Sequence, residues 1–515
     1  MSPSTPTLVL KFGSSELRSE ADLPLAVHEI YREWRAGRRV LAVVSALGCT
    51  TDDLLKRAQQ LGLPPQREGL AALLGTGETA AAALLTLALD RAGLPARLLD
   101  AIQIDLVTNG DRLGADPAAV DVPYLQDELE RAVVVVPAGV GRDRTGRMTR
   151  LGRLGHLGGG LDITASFLAR ELGASCPDRP APPSPGQPPL RVVLLGCGTV
   201  GGGVLARLLA QPGLFRVTGV AVRSLNRVRV PAVPRRLLTD RPAALLEGDA
   251  DVVIELLGGL DPSRSLIEQA LRRGLHVVTA NKALLAGEVE GFAELARRRG
   301  VSLRFSAAVG GALPALETVR RAAASGRVRA ITGVLNGTCN FVLDRCAAGA
   351  TFAEAVALAR DAGYAEADPT LDLDGSDAAQ KLSLLAREAF GASLPWQSIP
   401  RRGITDFDER SPAEALRRGR RVRLVATCER LDCGDLRASV QPLDLSPDHP
   451  CASTAGADNA LVVELEAGGR IRIAARGAGR WPTTEAVMAD LYDLAAARDV
   501  NDGQAELAWR KEGAA

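Results

Sequence analysis

The sequence predicts an α/β fold made of two successive α/β units, with an α+β region at the end of the second. Short β-branched runs, which suit buried parallel strands, alternate with Ala- and Leu-rich helical stretches up to about residue 330. Proline dominates residues 176–190. Because proline fixes φ and has no N–H to donate, this stretch predicts a linker. After residue 330 the strand-like segments indicate a different, mixed sheet.

In both units the predicted strands alternate with predicted helices along the chain. In the first unit, residues 1–175, strand-like runs lie at 7–13, 38–47 and 131–140, and a long helical stretch lies at 78–93. In the second unit they lie at 191–198, 215–224, 251–259 and 275–282. Strands separated by helices in this way are typical of a parallel sheet. The later strand-like segments lie at 331–338, 420–430, 460–468 and 470–479, and a final helix is predicted at 483–497.

Composition and charge exclude several classes of protein. The formal net charge is +1, which provides no basic field for nucleic acid or an anionic membrane. The eight cysteines form no CxxC pair, which indicates reduced thiols. The apolar run at 79–89 is shorter than the roughly 18 residues that cross a bilayer, and no basic segment precedes the first apolar stretch. We expect a cytoplasmic protein that acts on a small molecule, without nucleic-acid or membrane partners.

A glycine-rich turn follows the first strand of the second unit. Gly196, Gly198 and Gly201 fit the pattern G-x-G-x-x-G between a strand and a helix. The first glycine permits a tight turn, the second lets a pyrophosphate approach the backbone, and the third lets helix and strand pack closely. This context predicts a Rossmann domain that binds NAD or NADP.

The end of the next strand bears on the choice of cofactor. An NAD site places Asp or Glu about 20 residues after the glycines, where it binds the ribose hydroxyls. This chain has Arg223 near that position, and an arginine there suits the 2′-phosphate of NADP. NADP is therefore favoured and NAD is possible, because Arg223 is alternatively a solvated surface residue.

Two lysines stand where a ligand is expected. Lys282 follows a strand, and ligands of open α/β sheets bind at the carboxyl ends of strands, where Gly258 also lies. Lys381 and Asp377 are four residues apart, on one face of a predicted helix. Four more acidic residues precede this pair: Glu366, Asp368, Asp372 and Asp374. The alternatives are a surface lysine and an exposed ion pair, or a site in which carboxylates hold a cationic substrate and a lysine protonates an alkoxide.

Ordered motifs over 190–497 resemble those of homoserine dehydrogenase. They are GCGTVG, ELLGGLDP, VVTANKALLA, GVLNGTCNF, GYAEADPTLDLDGSDAAQK and GAGRWPTTEAVMADL. The resemblance implies reversible, NAD(P)H-dependent reduction of aspartate β-semialdehyde to homoserine, in threonine, methionine and isoleucine biosynthesis. It also implies a Rossmann domain at 191–328, a substrate and dimerisation domain at 329–475, and a segment at 476–515 that returns to the nucleotide domain. A homodimer or higher homo-oligomer is expected.

The same resemblance assigns roles to residues. It implies that Lys381 is the proton donor, that Lys282 is the second active-site lysine, and that Asp377 orients substrate or water. Glu366, Asp372 and Thr338 match substrate-binding positions, with Thr338 in a substrate-side loop. The implied cofactor contacts are Gly196, Gly198, Thr199, Val200, Gly201, Arg223, Gly258, Lys282, Gly363 and Gly479.

Residues 305–314 resemble the family's loop for a monovalent cation. The implied ligands are the backbone carbonyls of Val309, Gly311 and Leu313. The family usually has glutamate at the position of Ser306, so this chain departs from the family's sodium-binding pattern.

The first unit resembles the amino-acid kinase domain of aspartokinase. The motifs are LVLKFGSSELRS, VVSALGCTTDDLL, GTGETAAAALL and the stretch 149–174. The resemblance implies that Lys11 neutralises transferring phosphate and that Glu78 and Asp162 lie on the substrate side. The family's KFGG pattern is altered, its glycine loop is longer here, and the linker begins where the nucleotide-binding half continues. These departures predict a degenerate domain without kinase activity. A bifunctional kinase–dehydrogenase and a binding or assembly module stay as alternatives.

Overall fold

A computed structural model describes residues 6–61, 67–152, 159–177, 188–226, 233–366 and 368–512. The chain divides into two compact units, 1–180 and 181–515. The predicted α/β class is confirmed in both units. Residues 178–187 of the predicted linker lie outside the described residues.

The first unit contains two sheets. Its strands are β1 (Thr7–Phe12), β2 (Arg39–Val44), β3 (Ala96–Leu98), β4 (Val107–Asn109), β5 (Asp116–Ala119), β6 (Val133–Pro137), β7 (Val140–Arg142) and β8 (Met148–Arg150). Its helices are α1 (Leu23–Arg35), α2 (Thr50–Gln60), α3 (Arg67–Ala92), α4 (Val122–Arg131) and α5 (Gly159–Leu172). One sheet is parallel, in the order β1-β2-β6-β3, and the other is mixed, in the order β5-β4-β7-β8. The mixed sheet was not predicted, because strands of three or four residues are too short to show a period of two.

Helix α3 is longer than the sequence suggested. Among the described residues, it is the one helix long and apolar enough to cross a membrane, over residues 69–92, and half of its most apolar window is buried inside the unit. A helix buried in a protein core can have the same length and apolar composition. The helix extends beyond the apolar run at 79–89 because Glu78 lies inside it, with its carboxylate buried against Arg150.

The second unit begins with a six-stranded parallel sheet. Its strands are β9 (Leu190–Leu195), β10 (Phe215–Ala221), β11 (Leu238–Thr239), β12 (Val252–Glu255), β13 (His276–Thr279) and β14 (Leu303–Arg304). The helices between them are α6 (Thr199–Leu209), α7 (Pro242–Leu246), α8 (Ser263–Arg272) and α9 (Lys282–Arg299). The strand order is β11-β10-β9-β12-β13-β14, so the predicted Rossmann-type sheet is confirmed. The carboxyl ends of β9, β12 and β13 are adjacent at one edge of this sheet.

A second sheet follows in the same unit. Its strands are β15 (Val328–Val334), β16 (Arg421–Arg430), β17 (Leu436–Leu445), β18 (Asp458–Leu465) and β19 (Arg470–Arg476). The helices are α10 (Ala315–Ser325), α11 (Gly337–Ala347), α12 (Phe352–Asp361), α13 (Thr370–Leu373), α14 (Ser376–Phe390), α15 (Ser411–Arg417) and α16 (Arg480–Glu512). The order is β17-β16-β15-β18-β19 and each pairing is antiparallel. The expectation of a mixed sheet was therefore wrong here, because β17 was missed and forms a hairpin with β16.

The last helix packs back on the Rossmann-type sheet. Val487 and Leu491 of α16 share a buried core with Val192 and Leu194 of β9 and Val204 of α6. This packing joins the end of the unit to its beginning.

Candidate active site

The glycine turn after β9 has the geometry of a dinucleotide cradle. Gly196 has φ +101°, and a Cβ added there would lie 2.6 Å from the carbonyl oxygen of Leu256. A Cβ on Gly201 would lie 2.1 Å from the carbonyl oxygen of Gly196. A Cβ on Gly198, by contrast, would meet no atom within 4 Å. The first and third glycines serve packing, and the second leaves the backbone at the start of α6 open to a phosphate.

A buried glutamate that sequence reasoning missed organises the neighbouring strand ends. Glu255, the last residue of β12, is fully buried. Its Oε1 accepts hydrogen bonds from the backbone N–H of Leu257 (2.9 Å) and Gly258 (3.1 Å) and from the Ser263 hydroxyl (3.0 Å). Its Oε2 accepts one from the Thr279 hydroxyl at 2.7 Å. Glu255 therefore ties the Gly258 turn to the end of β13.

The start of α9 places Lys282 at the same edge. Asn281 caps this helix, since its side-chain oxygen accepts a hydrogen bond from the Leu284 N–H. Its amide also donates to the Gly259 carbonyl at 2.7 Å. The predicted strand-end position of Lys282 is confirmed, and its ammonium group binds Oδ1 of Asp377 at 3.1 Å.

One buried carboxylate holds both predicted lysines. Lys381 lies one turn after Asp377 in α14, and its Nζ is 2.9 Å from Oδ2 of Asp377. Both residues are buried, so the alternative of an exposed ion pair is wrong. The Lys381 ammonium also donates to the Leu335 carbonyl at 2.8 Å. That carbonyl accepts a second hydrogen bond, from the Asn459 side chain at 3.0 Å.

The charges of the cluster shift its pKa values. Burial acts to raise the pKa of Asp377, but the two lysines and the hydrogen bonds hold that pKa below its ordinary value of 3.8. The charge of Asp377 raises the pKa of Lys282 above 10.5, against the effect of burial. Burial, followed by the charge of Asp377, raises the pKa of Asp372. Asp377 is therefore ionised and Lys282 is protonated at neutral pH.

Asn336 was also missed by sequence reasoning. Its Nδ2 donates to Oδ1 of Asp372 at 2.7 Å and to Oδ2 of Asp377 at 2.9 Å. The signal was present in the NGT motif, because an asparagine before a helix is a frequent N-cap. Thr338 of the same motif lies in the first turn of α11 and not in a loop, and its hydroxyl donates to the Tyr364 carbonyl at 2.7 Å.

Fewer acidic residues surround the lysines than the sequence suggested. Asp368 accepts hydrogen bonds from Thr370, and Asp374 accepts them from Ser376. These two carboxylates form local turns, which sequence density alone does not distinguish from a site. Glu366 is exposed, and its charge acts on Lys282. Asp377 binds both lysines, Asp372 is joined to it through Asn336, and the exposed Glu366 acts on Lys282 through its charge.

The remaining predicted cofactor residues lie at element ends. Thr199 and Val200 form the first turn of α6, and Arg223 is exposed just after β10. Gly363 follows α12 with φ +73°, and Gly479 precedes α16 with φ +126°. Their contacts with a cofactor stay predictions.

The segment suggested for a monovalent cation makes several internal hydrogen bonds. The Ser306 hydroxyl lies 2.5 Å from Oε1 of Glu317 and 2.9 Å from Oδ1 of Asp490. The Leu313 carbonyl accepts a hydrogen bond from the Ala315 N–H at 2.7 Å. The described residues contain no group of three His, Cys, Asp or Glu side chains able to hold a metal ion. A cation on the carbonyls of Val309, Gly311 and Leu313 stays a prediction, and no chemical step depends on it.

In the first unit the predicted kinase-like residues bind one another. Lys11 pairs with Asp162 at 3.0 Å. The buried Glu78 accepts a hydrogen bond from Arg150 at 2.6 Å and another from the Ala46 N–H. Lys11 and Glu78 therefore each have a partner of opposite charge within this unit.

Family models match three parts of the chain. A model described as "Homoserine dehydrogenase, NAD binding domain" matches residues 196–306. With the glycine cradle and the lysine cluster, it defines the second unit as a nicotinamide-dependent oxidoreductase. A model described as "Homoserine dehydrogenase" matches residues 314–492, and one described as "Amino acid kinase family" matches residues 6–176.

Known proteins identify the family. The homoserine dehydrogenase of Synechocystis sp. is 37% identical over 316 residues, which are 59% of this chain and 73% of that relative. The enzyme of Corynebacterium glutamicum is 37% identical over 62% of this chain and 76% of its own length. The crystal structure of a homoserine dehydrogenase from Thiobacillus denitrificans has a TM-score of 0.56 and 36% identity, over 60% of this chain and 73% of that one. The chain belongs to the homoserine dehydrogenase family and carries an N-terminal amino-acid-kinase domain.

Proposed function

We propose that this chain reversibly reduces L-aspartate 4-semialdehyde to L-homoserine with NADPH. The observation that carries the proposal is the binding of Lys282 and Lys381 to one buried carboxylate, Asp377, beside the glycine cradle. Family membership supports the same reaction. A nicotinamide bound at the cradle supplies the hydride, and the residues of the chain supply position, charge and a proton.

Lys381 is proposed as the proton donor. An ammonium group has three N–H bonds, and two of these go to Asp377 and the Leu335 carbonyl. The third is available to the carbonyl oxygen of a substrate. Because Asp377 and the Leu335 carbonyl hold the ammonium in place, it protonates the developing alkoxide without reorganisation.

The carboxylates are proposed to hold the substrate. Asp372 uses Oδ1 for Asn336, which leaves Oδ2 for the ammonium group of the amino acid. The exposed Glu366 supplies a second acceptor for this ammonium group. Thr338 holds the segment that contains Glu366, because its hydroxyl donates to the Tyr364 carbonyl. Lys282 remains charged and compensates Asp377.

NADP is proposed as the preferred cofactor, because exposed Arg223 follows β10 at the position suited to a 2′-phosphate. The test is Arg223→Ala. Loss of one charged hydrogen bond raises KM for NADP⁺ by about tenfold or more and leaves KM for NAD⁺ unchanged. Equal changes for both cofactors would show that Arg223 is a surface residue.

We also propose the finer organisation of the chain. The divisions are a degenerate kinase-like domain (1–175), a linker (176–190), a nucleotide domain (191–328), a substrate and dimerisation domain (329–475) and a C-terminal segment (476–515). The first unit serves binding or assembly without kinase activity, since Lys11 and Glu78 are already paired with Asp162 and Arg150. We propose a cytoplasmic homo-oligomer. Deletion of 1–175 would then change oligomeric state or effector response and leave the reaction intact.

The first experiment measures homoserine-dependent reduction of NADP⁺ and NAD⁺ by the purified chain. Lys381→Ala is compared with Lys56→Ala, which removes an exposed lysine of α2. We expect robust NADP⁺ reduction, a loss of about 10²-fold or more in kcat for Lys381→Ala, and no change for Lys56→Ala. A folded wild-type chain that reduces neither cofactor would refute the proposal.

A further inference from the structure

The side chain of Asn336 links the two carboxylates of the site. It is 3% exposed, and its single amide nitrogen donates to Asp372 at 2.7 Å and to Asp377 at 2.9 Å. Its oxygen accepts the Cys339 N–H at 2.7 Å, which caps α11. Because the helix N-cap requires the oxygen at that position, both hydrogens of the amide face the carboxylates.

The Asn336 amide lies between two carboxylates that would otherwise repel each other. Two carboxylates that share a buried site repel each other, and Asp377 is already neutralised by two lysines. Among the described contacts, Asp372 forms no ion pair with either lysine within 4 Å. The donor that contacts its carboxylate is the side-chain amide of Asn336. A neutral donor keeps Asp372 as an acceptor without adding a cation that would compete with the substrate.

We propose that Asn336 is a positioning residue, which holds Asp372 beside Asp377 and turns its free oxygen toward the ammonium group of the substrate. This inference rests on the proposed function and deepens it, by naming the group that prepares the ammonium subsite. The effect of Asn336 on the pKa of Asp372 agrees with this role: burial and the charge of Asp377 raise that pKa, and the hydrogen bond from Asn336 lowers it.

Two substitutions separate positioning from helix capping. Asn336→Asp keeps the size of the side chain and the N-cap oxygen, but removes both N–H donors and adds a charge. Asn336→Ser keeps a capping oxygen and at most one donor. The matched control is Asn340→Ser in the same helix. Asn340 is also fully buried, but its amide donates to the backbone carbonyl of Gly456 at 3.0 Å.

The kinetic readout compares the change in KM with the change in kcat. We expect Asn336→Asp to raise KM for homoserine by about ten- to a hundredfold, the size expected for loss of hydrogen bonds to charged groups. The smaller part of the loss falls on kcat, and the dissociation constant of NADP⁺ stays unchanged. Asn336→Ser has a smaller effect in the same direction. Asn340→Ser keeps KM within about twofold, even where it lowers stability.

A second readout does not depend on activity. In Asn336→Asp the new carboxyl group lies beside those of Asp372 and Asp377. We therefore expect the folded-state pKa of the new group to be raised above the unfolded value of about 3.9. Stability relative to wild type is therefore lost as pH rises from about 4 through that raised pKa. The double variant Asn336→Asp/Asp372→Asn exchanges amide and carboxylate, and its pH–stability curve returns toward wild type while KM stays high.

The outcomes are distinguishable. A wild-type chain without homoserine oxidation refutes the proposed function, whereas the pH–stability curves still decide whether Asn336 links the carboxylates. Unfolding midpoints of Asn336→Asp that run parallel to wild type from pH 4 to 8 would overturn the inference. So would an active Asn336→Asp enzyme with an unchanged KM.

Discussion

The Nζ atom of Lys381 lies 2.9 Å from Oδ2 of Asp377, one turn earlier in the same buried helix. Lys282, from a different part of the unit, occupies the other oxygen. A single carboxylate thus binds two cations, one at the start of α9 and one in α14.

Asp377→Asn leaves two lysine ammonium groups without their shared carboxylate. We expect kcat/KM to fall by about 10²-fold or more, because the proton donor loses its anchor. The alkaline limb of the pH profile also moves. In the wild type the charge of Asp377 raises the pKa of Lys282 from its ordinary value, which favours the protonated ammonium group. In the variant the largest influence that raises this pKa is gone and only the weaker charges of Asp372 and Glu366 oppose burial, so the limb shifts to lower pH.

The control for this prediction is Asp374→Asn, three residues away. Asp374 binds the Ser376 N–H at 2.7 Å and has a local role. Its substitution is expected to leave the pH profile unchanged. An alkaline limb that moves equally in both variants would contradict the assignment.

Alanine at two glycines of the cradle should affect two different properties, cofactor binding and stability. A Cβ at position 198 meets no atom within 4 Å, so Gly198→Ala folds normally and weakens cofactor binding by occupying the space for phosphate. A Cβ at position 201 falls 2.1 Å from the Gly196 carbonyl, so Gly201→Ala lowers the free energy of unfolding. Calorimetry of unfolding and a titration with NADP⁺ measure the two effects. A Gly198→Ala chain with wild-type affinity would exclude phosphate binding at that position.

Glu255→Gln tests the support of the Gly258 turn. The carboxylate accepts four hydrogen bonds, and an amide presents one oxygen and one donor group in its place. Because a buried donor then faces other donors, we expect a loss of about 1–3 kcal/mol in stability and a raised KM for the cofactor. Chemical denaturation and steady-state kinetics measure these. Glu268→Gln, at an exposed ion pair with Arg272 in α8, is the control and should change neither.

Glu78→Gln should destabilise the first unit without affecting the reaction. Glu78 and Arg150 are both largely buried, and removing one partner leaves a buried charge unpaired, at a cost of about 3–5 kcal/mol. Glu130→Gln breaks the exposed pair with Arg39 and should cost less than about 1 kcal/mol. Thermal unfolding, with homoserine oxidation as the second readout, compares the two. Equal stability of both variants would show that the Glu78 pair is not structural.

Strand and helix positions of the parallel sheet could be predicted because each has a local signal. The β-branched runs of β9, β12 and β13 and the glycines at 196, 198 and 201 require no knowledge of distant residues. The pairing of Asp377 with Lys381 was equally local, since four residues make one helical turn. Short strands such as β4 and β7 have no such signal and were missed.

The class of fold, the glycine cradle, and the positions of Lys282, Lys381 and Asp377 on their elements therefore follow from local sequence patterns. Which acidic residues lie near the two lysines depends on how the chain folds. Asp368, Asp372 and Asp374 all precede Asp377 by fewer than ten residues, yet Asp368 and Asp374 accept hydrogen bonds within their own turns. Tertiary packing also brought in Asn336, Glu255 and the Leu335 carbonyl. The physical reason is that a buried polar group must find a partner, and which partner it finds depends on chain segments that meet only after folding.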